Sequence, residues 1–129
     1  MLCLPAGMSR KKILAVQDSA TIPLFEKAVL GRPVDVTTAV SGEEILGRAR
    51  ADRPDLVLID SEMPELDWVE ACRRLRSDPD AGEVPIILVT SHSEAEYLER
   101  AFISGCTDYV IKPVDENELL VKVRSYLGE

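Results

Sequence analysis

Pro54-Asp55-Leu56-Val57-Leu58-Ile59-Asp60-Ser61-Glu62-Met63-Pro64 carries the strongest structural signal in the chain. Four aliphatic residues follow one another without a break from Leu56 to Ile59, and the run closes on an acid. Such a run is too uniformly apolar for a strand with one wet face, so it reads as a parallel strand covered on both sides. Ile86-Ile87-Leu88-Val89 repeats the pattern and also ends on polar residues, Thr90 and Ser91. Outward from these, residues 13–16, 34–38 and 109–111 are further short segments rich in β-branched or aliphatic side chains, which predicts five strands.

The intervals carry helical signals. Ser41 with Glu44, Ser93 with Glu96, and Asp115 with Glu118 each set a capping residue three places before a glutamate. Apolar residues then recur at helical spacing as Ile22, Phe25 and Val29, as Ala95, Leu98 and Phe102, and as Leu120, Val123 and Leu127. Gly31 and Gly105 stand where two of these helices stop. A further helix over 69–76 ends before the turn-rich residues 77–82. Alternation of five strands with five helices predicts an α/β fold, a doubly wound, five-stranded parallel sheet with helices on both faces, because parallel neighbours need right-handed crossovers; the strand order expected for it is the flavodoxin-like 2-1-3-4-5.

Composition bounds the function. The chain has 129 residues, 46% of them hydrophobic, which suffices for one domain with its own core. Residues 10–129 are expected to form it, with residues 1–9 a frayed or disordered extension. That extension is apolar but precedes the basic Arg10, Lys11 and Lys12, the wrong order for a signal peptide. A net charge of −8 argues against direct nucleic-acid or anionic-membrane binding, which reward clustered lysine and arginine. No apolar run approaches a membrane span. Cys3, Cys72 and Cys106 form no CxxC pair and are odd in number, so a reducing, cytoplasmic setting is expected, with Cys72 and Cys106 as small buried hydrophobes. His92 is the one histidine, expected on an exposed loop, and zinc is not expected.

In a doubly wound sheet, ligands bind at the carboxyl ends of the strands, beside the switch point between the first and third. The residues closing the strands are Gln17 and Asp18, Asp60, Thr90 and Ser91, and Lys112. All are polar. Carboxylates gathered at one edge raise each other's pKa unless a cation is present. Mg²⁺ suits oxygen ligands and commonly binds through one or two carboxylates plus phosphoryl oxygens. Phosphoryl transfer asks for positioning and neutralised charge, which a metal, a lysine and a hydroxyl supply, and a carboxylate can be the nucleophile.

With those residues in view, the chain from about Lys12 onward resembles the receiver domain of two-component response regulators. The likeness is carried by Ile13-Leu14-Ala15-Val16-Gln17-Asp18-Ser19, by the stretch from Pro54 to Pro64, by Val89-Thr90-Ser91 and by Tyr109-Val110-Ile111-Lys112-Pro113. The resemblance implies that Asp60 accepts a phosphoryl group from a phosphohistidine on a sensor histidine kinase or phosphotransfer protein. It implies that Asp18, Asp60 and the backbone carbonyl of Glu62 ligate Mg²⁺. Thr90 and the N–H of Ser91 would grip phosphoryl oxygens, and Lys112 would pair with the phosphate or, without it, with Asp60. Tyr109 matches the family's switch aromatic, moving with Thr90, and Lys112-Pro113 matches a junction usually cis in the family. The implied protein is a switch rather than an enzyme, catalysing only its own phosphorylation and dephosphorylation. Its face of fourth helix, fifth strand and fifth helix would bind a downstream target, an output domain or a second copy.

Two positions depart from the pattern. Gln17 replaces the first of two adjacent acids, and from outside the metal's ligand shell it should weaken Mg²⁺ by about 10- to 100-fold. Trp68 stands where a glycine ends the Met-Pro motif, and a tryptophan lacks glycine's backbone freedom, so the expectation for it is an exposed partner contact or a lid. The alternative function is therefore a degenerate receiver that acts as a phosphate-independent interaction module. A flavodoxin-like cofactor binder or hydrolase is opposed by the lack of a glycine-rich phosphate loop and of a Ser/His/Asp set.

Overall fold

The computed structural model describes residues 11–16, 34–63 and 66–128. Its strands are β1 (Lys11–Val16), β2 (Val34–Thr38), β3 (Leu56–Asp60), β4 (Ile86–Thr90) and β5 (Asp108–Ile111). They form one sheet in the order β2-β1-β3-β4-β5, with every pair parallel. Its helices, among the described residues, are α1 (Gly42–Asp52), α2 (Trp68–Ser77), α3 (Ala95–Ser104) and α4 (Glu116–Leu127). The helix expected over 22–29 and its stop at Gly31 lie outside the described residues; α3 and α4 are the fourth and fifth helices of the expectation.

Strand side chains alternate between two cores. Leu14, Val16, Val57, Ile59, Ile86 and Leu88 face one layer, which holds the buried sides of α1, α2 and α3. Ile13, Ala15, Leu56, Leu58, Ile87 and Val110 face the other, against Leu119, Val123 and Leu127 of α4. Covering on both faces is what the unbroken aliphatic runs of β3 and β4 require, and both strands are wholly buried.

The helix starts mostly follow their caps. Ser41 Oγ accepts from the Glu44 N–H at 3.2 Å, and Asp115 accepts from the Asn117 and Glu118 N–H groups at 2.8 and 3.1 Å. Asp67 caps α2 in the same way, by accepting from the Glu70 N–H at 3.2 Å. The cap expected at Ser93 is corrected: Glu94 is the N-cap of α3, and it makes no side-chain capping bond.

The inward face of α3 is also corrected. Ala101 and Ser104 are buried and Tyr97 packs on the core, whereas Phe102 is 46% exposed. The stripe Ala95, Leu98, Phe102 has the right period but the wrong phase, since the buried side of α3 is formed by Ala101 and Ser104. Gly105 ends α3 with φ 120°, as a stop requires. No helix among the described residues is long and apolar enough to cross a membrane.

Candidate functional site

Parallel pairing brings three strand ends to one edge. Asp60 is the last residue of β3 and sits opposite Val89, one place before Thr90 ends β4; Thr90 in turn sits opposite Ile111, which ends β5 just before Lys112. Asp60 and Thr90 are both fully buried, rare for a carboxylate unless it is paired.

Its partner is Lys112. The ammonium reaches both oxygens of Asp60, at 3.0 Å to Oδ1 and 2.9 Å to Oδ2, and stands 3.4 Å from Glu62 Oε1. Burial pulls the Lys112 ammonium down, but the hydrogen bonds and charges of Asp60 and Glu62 outweigh it and hold its pKa above the usual lysine value. The Lys112-Pro113 bond that follows is cis. Asp60 Oδ1 also accepts from the backbone N–H of Glu62 at 2.8 Å, which turns the chain sharply after β3.

The family resemblance assigns Glu62 a role through its carbonyl alone, yet its side chain is part of the cluster. Its Oε1 accepts from the Ser91 N–H at 2.8 Å and its Oε2 from the Ser91 hydroxyl at 2.7 Å. The Ser91 hydroxyl, with the Ser91 N–H and Lys112 helping against burial, holds the Glu62 carboxyl below the ordinary glutamate value. The available signal was its spacing, since a glutamate two places beyond a strand-end acid lies in the same turn.

Thr90 Oγ1 accepts from the His92 N–H at 3.1 Å. The His92 ring is stacked on Tyr97, with centroids 4.3 Å apart, and Tyr97 meets Trp68 at 5.5 Å. Trp68 is therefore not an exposed contact or a lid. It is the first residue of α2 and 7% exposed, packed in the core under α3, because its large apolar ring gains more by burial than by bridging solvent.

Tyr109 is half-buried on β5. Phe102 of α3 meets its ring edge-on at 6.0 Å, and the Lys122 ammonium of α4 lies 5.1 Å from its centroid. The sequence places Phe102 only in an apolar helical stripe and offers no signal for either contact with Tyr109.

The structure thus gathers Asp60, Glu62, Thr90, Ser91 and Lys112 at one sheet edge, with Tyr109 set apart on β5. Gln17 and Asp18 lie outside the described residues. The described part of the edge offers carboxylate, carbonyl and hydroxyl oxygen and no sulfur or imidazole ligand, a donor chemistry that fits a hard cation such as Mg²⁺. Among the described residues no group of three or more acidic, histidine or cysteine side chains forms a metal cluster by itself.

A doubly wound parallel sheet that carries a buried acid, a buried hydroxyl and a partly exposed lysine at its carboxyl edge is a signalling-domain architecture. The response regulator receiver domain family matches residues 13–124, and the chain belongs to that family, as the receiver domain of a two-component response regulator. Among its relatives, the response regulator PleD of Caulobacter vibrioides is 34% identical over 115 residues, which cover 88% of this chain and 25% of PleD. The chain spans from about a quarter to about half the length of the curated relatives it matches.

Solved structures agree in fold. A response regulator structure from Chloroflexus aurantiacus superposes with a TM-score of 0.84 at 28% identity, covering 94% of this chain and 100% of that one. The receiver domain of the sensor histidine kinase PA1611 from Pseudomonas aeruginosa, solved with a magnesium ion coordinated in its active site cleft, gives 0.81 at 27% identity, covering 94% and 100%.

Proposed function

We propose that this receiver unit, residues 10–129, is a phosphorylation-dependent switch in which Asp60 takes a phosphoryl group from a phosphohistidine of a sensor histidine kinase or phosphotransfer protein. The observation that carries the reading is Lys112, whose ammonium lies within 3.0 Å of both oxygens of a fully buried Asp60. A buried carboxylate gripped on both oxygens by an ammonium is desolvated and fixed in direction, which is what a carboxylate nucleophile needs.

Asp60, Asp18 and the Glu62 carbonyl are the residues that would hold Mg²⁺, with Gln17 acting through its neighbours. The ion, when bound, neutralises charge on the phosphoryl oxygens. Asp60 Oδ attacks phosphorus, the bond to the donor's histidine nitrogen breaks, and that nitrogen keeps the electron pair. Lys112 moves from Asp60 to the phosphoryl oxygens, and Thr90 and the Ser91 N–H bind the others.

For Thr90 to reach phosphate, its Oγ1 gives up the His92 N–H. Tyr109 then turns toward the space Thr90 leaves, away from Phe102 and Lys122. The face of α3, β5 and α4 changes shape, and this is where a downstream target, an output domain or a second copy binds. A modest difference in partner affinity between the two states is enough to read the change.

Incubation with acetyl phosphate, with and without Mg²⁺, tests the reading by intact mass. Wild-type chain gains one phosphate only with Mg²⁺, and Asp60→Asn gains none. Absence of any gain in wild type would turn the assignment to a phosphate-independent interaction module.

A further inference from the structure

Away from the strand-end cluster, Cys72 of α2 and Cys106 of the α3–β5 connection bring their sulfurs to 3.5 Å inside the core. The two lie 34 positions apart in the chain, so only the packing of α2 against that connection holds them together. Arg76 fastens this packing. It lies one helical turn beyond Cys72, on the same face of α2, and its guanidinium donates to the Gly105 carbonyl at 2.9 Å and to the Thr107 hydroxyl at 3.2 Å, on either side of Cys106. Gly105 makes room for it, since a Cβ there would come within 2.7 Å of Arg76 Cγ.

A cation therefore stands beside two thiols that already touch. The hydrogen bond from Cys106 and, in smaller part, the Arg76 charge hold the Cys72 thiol below its ordinary value, whereas the Cys72 hydrogen bond and burial push Cys106 up, so Cys72 is the sulfur closer to thiolate, the reactive form of cysteine. A disulfide is about 2.05 Å long, so the sulfurs need to close by roughly 1.5 Å from their present separation, within reach of side-chain rotation.

We propose that Cys72 and Cys106 are a redox modification site, joined by a hydroperoxide into a reversible disulfide that ties α2 to the α3–β5 connection. One sulfur takes an oxygen from the peroxide, whose O–O bond breaks to release water or an alcohol, and becomes a sulfenic acid. The second sulfur displaces that oxygen as water and forms the S–S bond. Two electrons pass from the two thiols to the peroxide. The oxidant must be small, because Cys72 is 0% and Cys106 6% exposed. A disulfide in a reducing compartment is characteristically of this transient kind.

Cys106 precedes β5 at its amino end, whereas the Asp60–Lys112 pair lies at the carboxyl ends of the strands. The bridge therefore leaves the strand-end chemistry in place while pinning the end of α3, the helix whose Phe102 contacts Tyr109. This inference does not rest on the phosphoacceptor reading.

The test treats the full chain, carrying Cys3→Ser, with hydrogen peroxide and then alkylates it in denaturant. Expected are loss of two hydrogens by intact mass, a non-reduced peptide linking positions 72 and 106, reversal by dithiothreitol, and a thermal midpoint raised by roughly 5–10 °C. Cys106→Ser and Cys72→Ala each lose the linked peptide. Performing the oxidation in concentrated guanidinium, where packing no longer aligns the sulfurs, slows linkage and controls for variants that fold poorly. Thiols that stay open to alkylation, or that advance to sulfinic acid without a linked peptide, overturn the proposal. Mg²⁺-dependent labelling with acetyl phosphate is read on both redox forms and persists in each, so the two ideas fail separately.

Discussion

The carboxylate of Glu62 covers both donors of Ser91, with its Oε1 on the backbone N–H at 2.8 Å and its Oε2 on the hydroxyl at 2.7 Å. Under the proposed function, that N–H and the nearby Lys112 are the groups that grip phosphoryl oxygen. Glu62 then occupies with its own anion the place the incoming anion needs. Because Glu62 is partly exposed, displacing it costs about 1 kcal/mol rather than the full value of a charged hydrogen bond. Glu62→Ala is therefore expected to speed labelling by acetyl phosphate by roughly 5-fold, as that energy implies. Time courses of intact mass check it, and an unchanged or slower rate would remove Glu62 from the competition.

Lys112 and Asp60 are expected to respond unequally to mutation. Lys112→Ala leaves a wholly buried carboxylate without its cation, while the lysine side chain itself is 24% exposed. A loss of about 2–3 kcal/mol in urea unfolding follows, below the range for a fully buried pair because water can enter. Asp60→Asn removes the buried charge and leaves Lys112 access to solvent, so it costs under about 1 kcal/mol. Equal losses from the two variants would contradict this account.

The same pair predicts a pH dependence. The folded-state pKa of Lys112 lies above its ordinary value, so the stabilisation is complete below about 10.4 and is lost as pH rises through the folded value. Unfolding free energy should fall above that point in wild type and fall less in Lys112→Met. Parallel curves for the two proteins would show that the ammonium adds no stability.

Trp68 is the one tryptophan of the chain, and it is joined to Thr90 through Tyr97 and His92. If phosphate draws Thr90 from the His92 N–H, the stack shifts and the tryptophan emission changes. Adding Mg²⁺ and acetyl phosphate should alter fluorescence in wild type and leave it unaltered in Asp60→Asn. In Thr90→Ala the change should be smaller, although labelling still occurs. Emission that stays constant in fully labelled wild type would break this link.

Lys122 holds Tyr109 from outside through its ammonium over the ring, a contact worth about 0.5–1 kcal/mol at an exposed site. Lys122→Gln should loosen that hold and shift the resting ensemble toward the inward ring by about 2- to 5-fold. NMR of the Tyr109 ring in the unphosphorylated protein measures it, and identical ring environments in both proteins would refute it.

Much of the architecture was legible because its signals are local. The aliphatic runs at 56–59 and 86–89 need cover on both faces wherever they stand, and Ser41 and Asp115 cap the helices they precede through bonds that span three residues. The strand-end residues Asp60, Thr90, Ser91 and Lys112 could be named because parallel strands of matched length deliver their ends to one edge. Gln17 and Asp18 belong to that reading, although they lie outside the described residues.

The kind of sheet and the polar set at its edge follow from local sequence, because periodicity and strand termini are properties of neighbouring residues. The burial of Trp68, the inward face of α3, the Glu62 grip on Ser91 and the meeting of Cys72 with Cys106 arise only from three-dimensional packing. Each of these depends on the rotation and depth at which one element settles on another. Those are set by side-chain volumes across the whole core, where no short window of sequence records them.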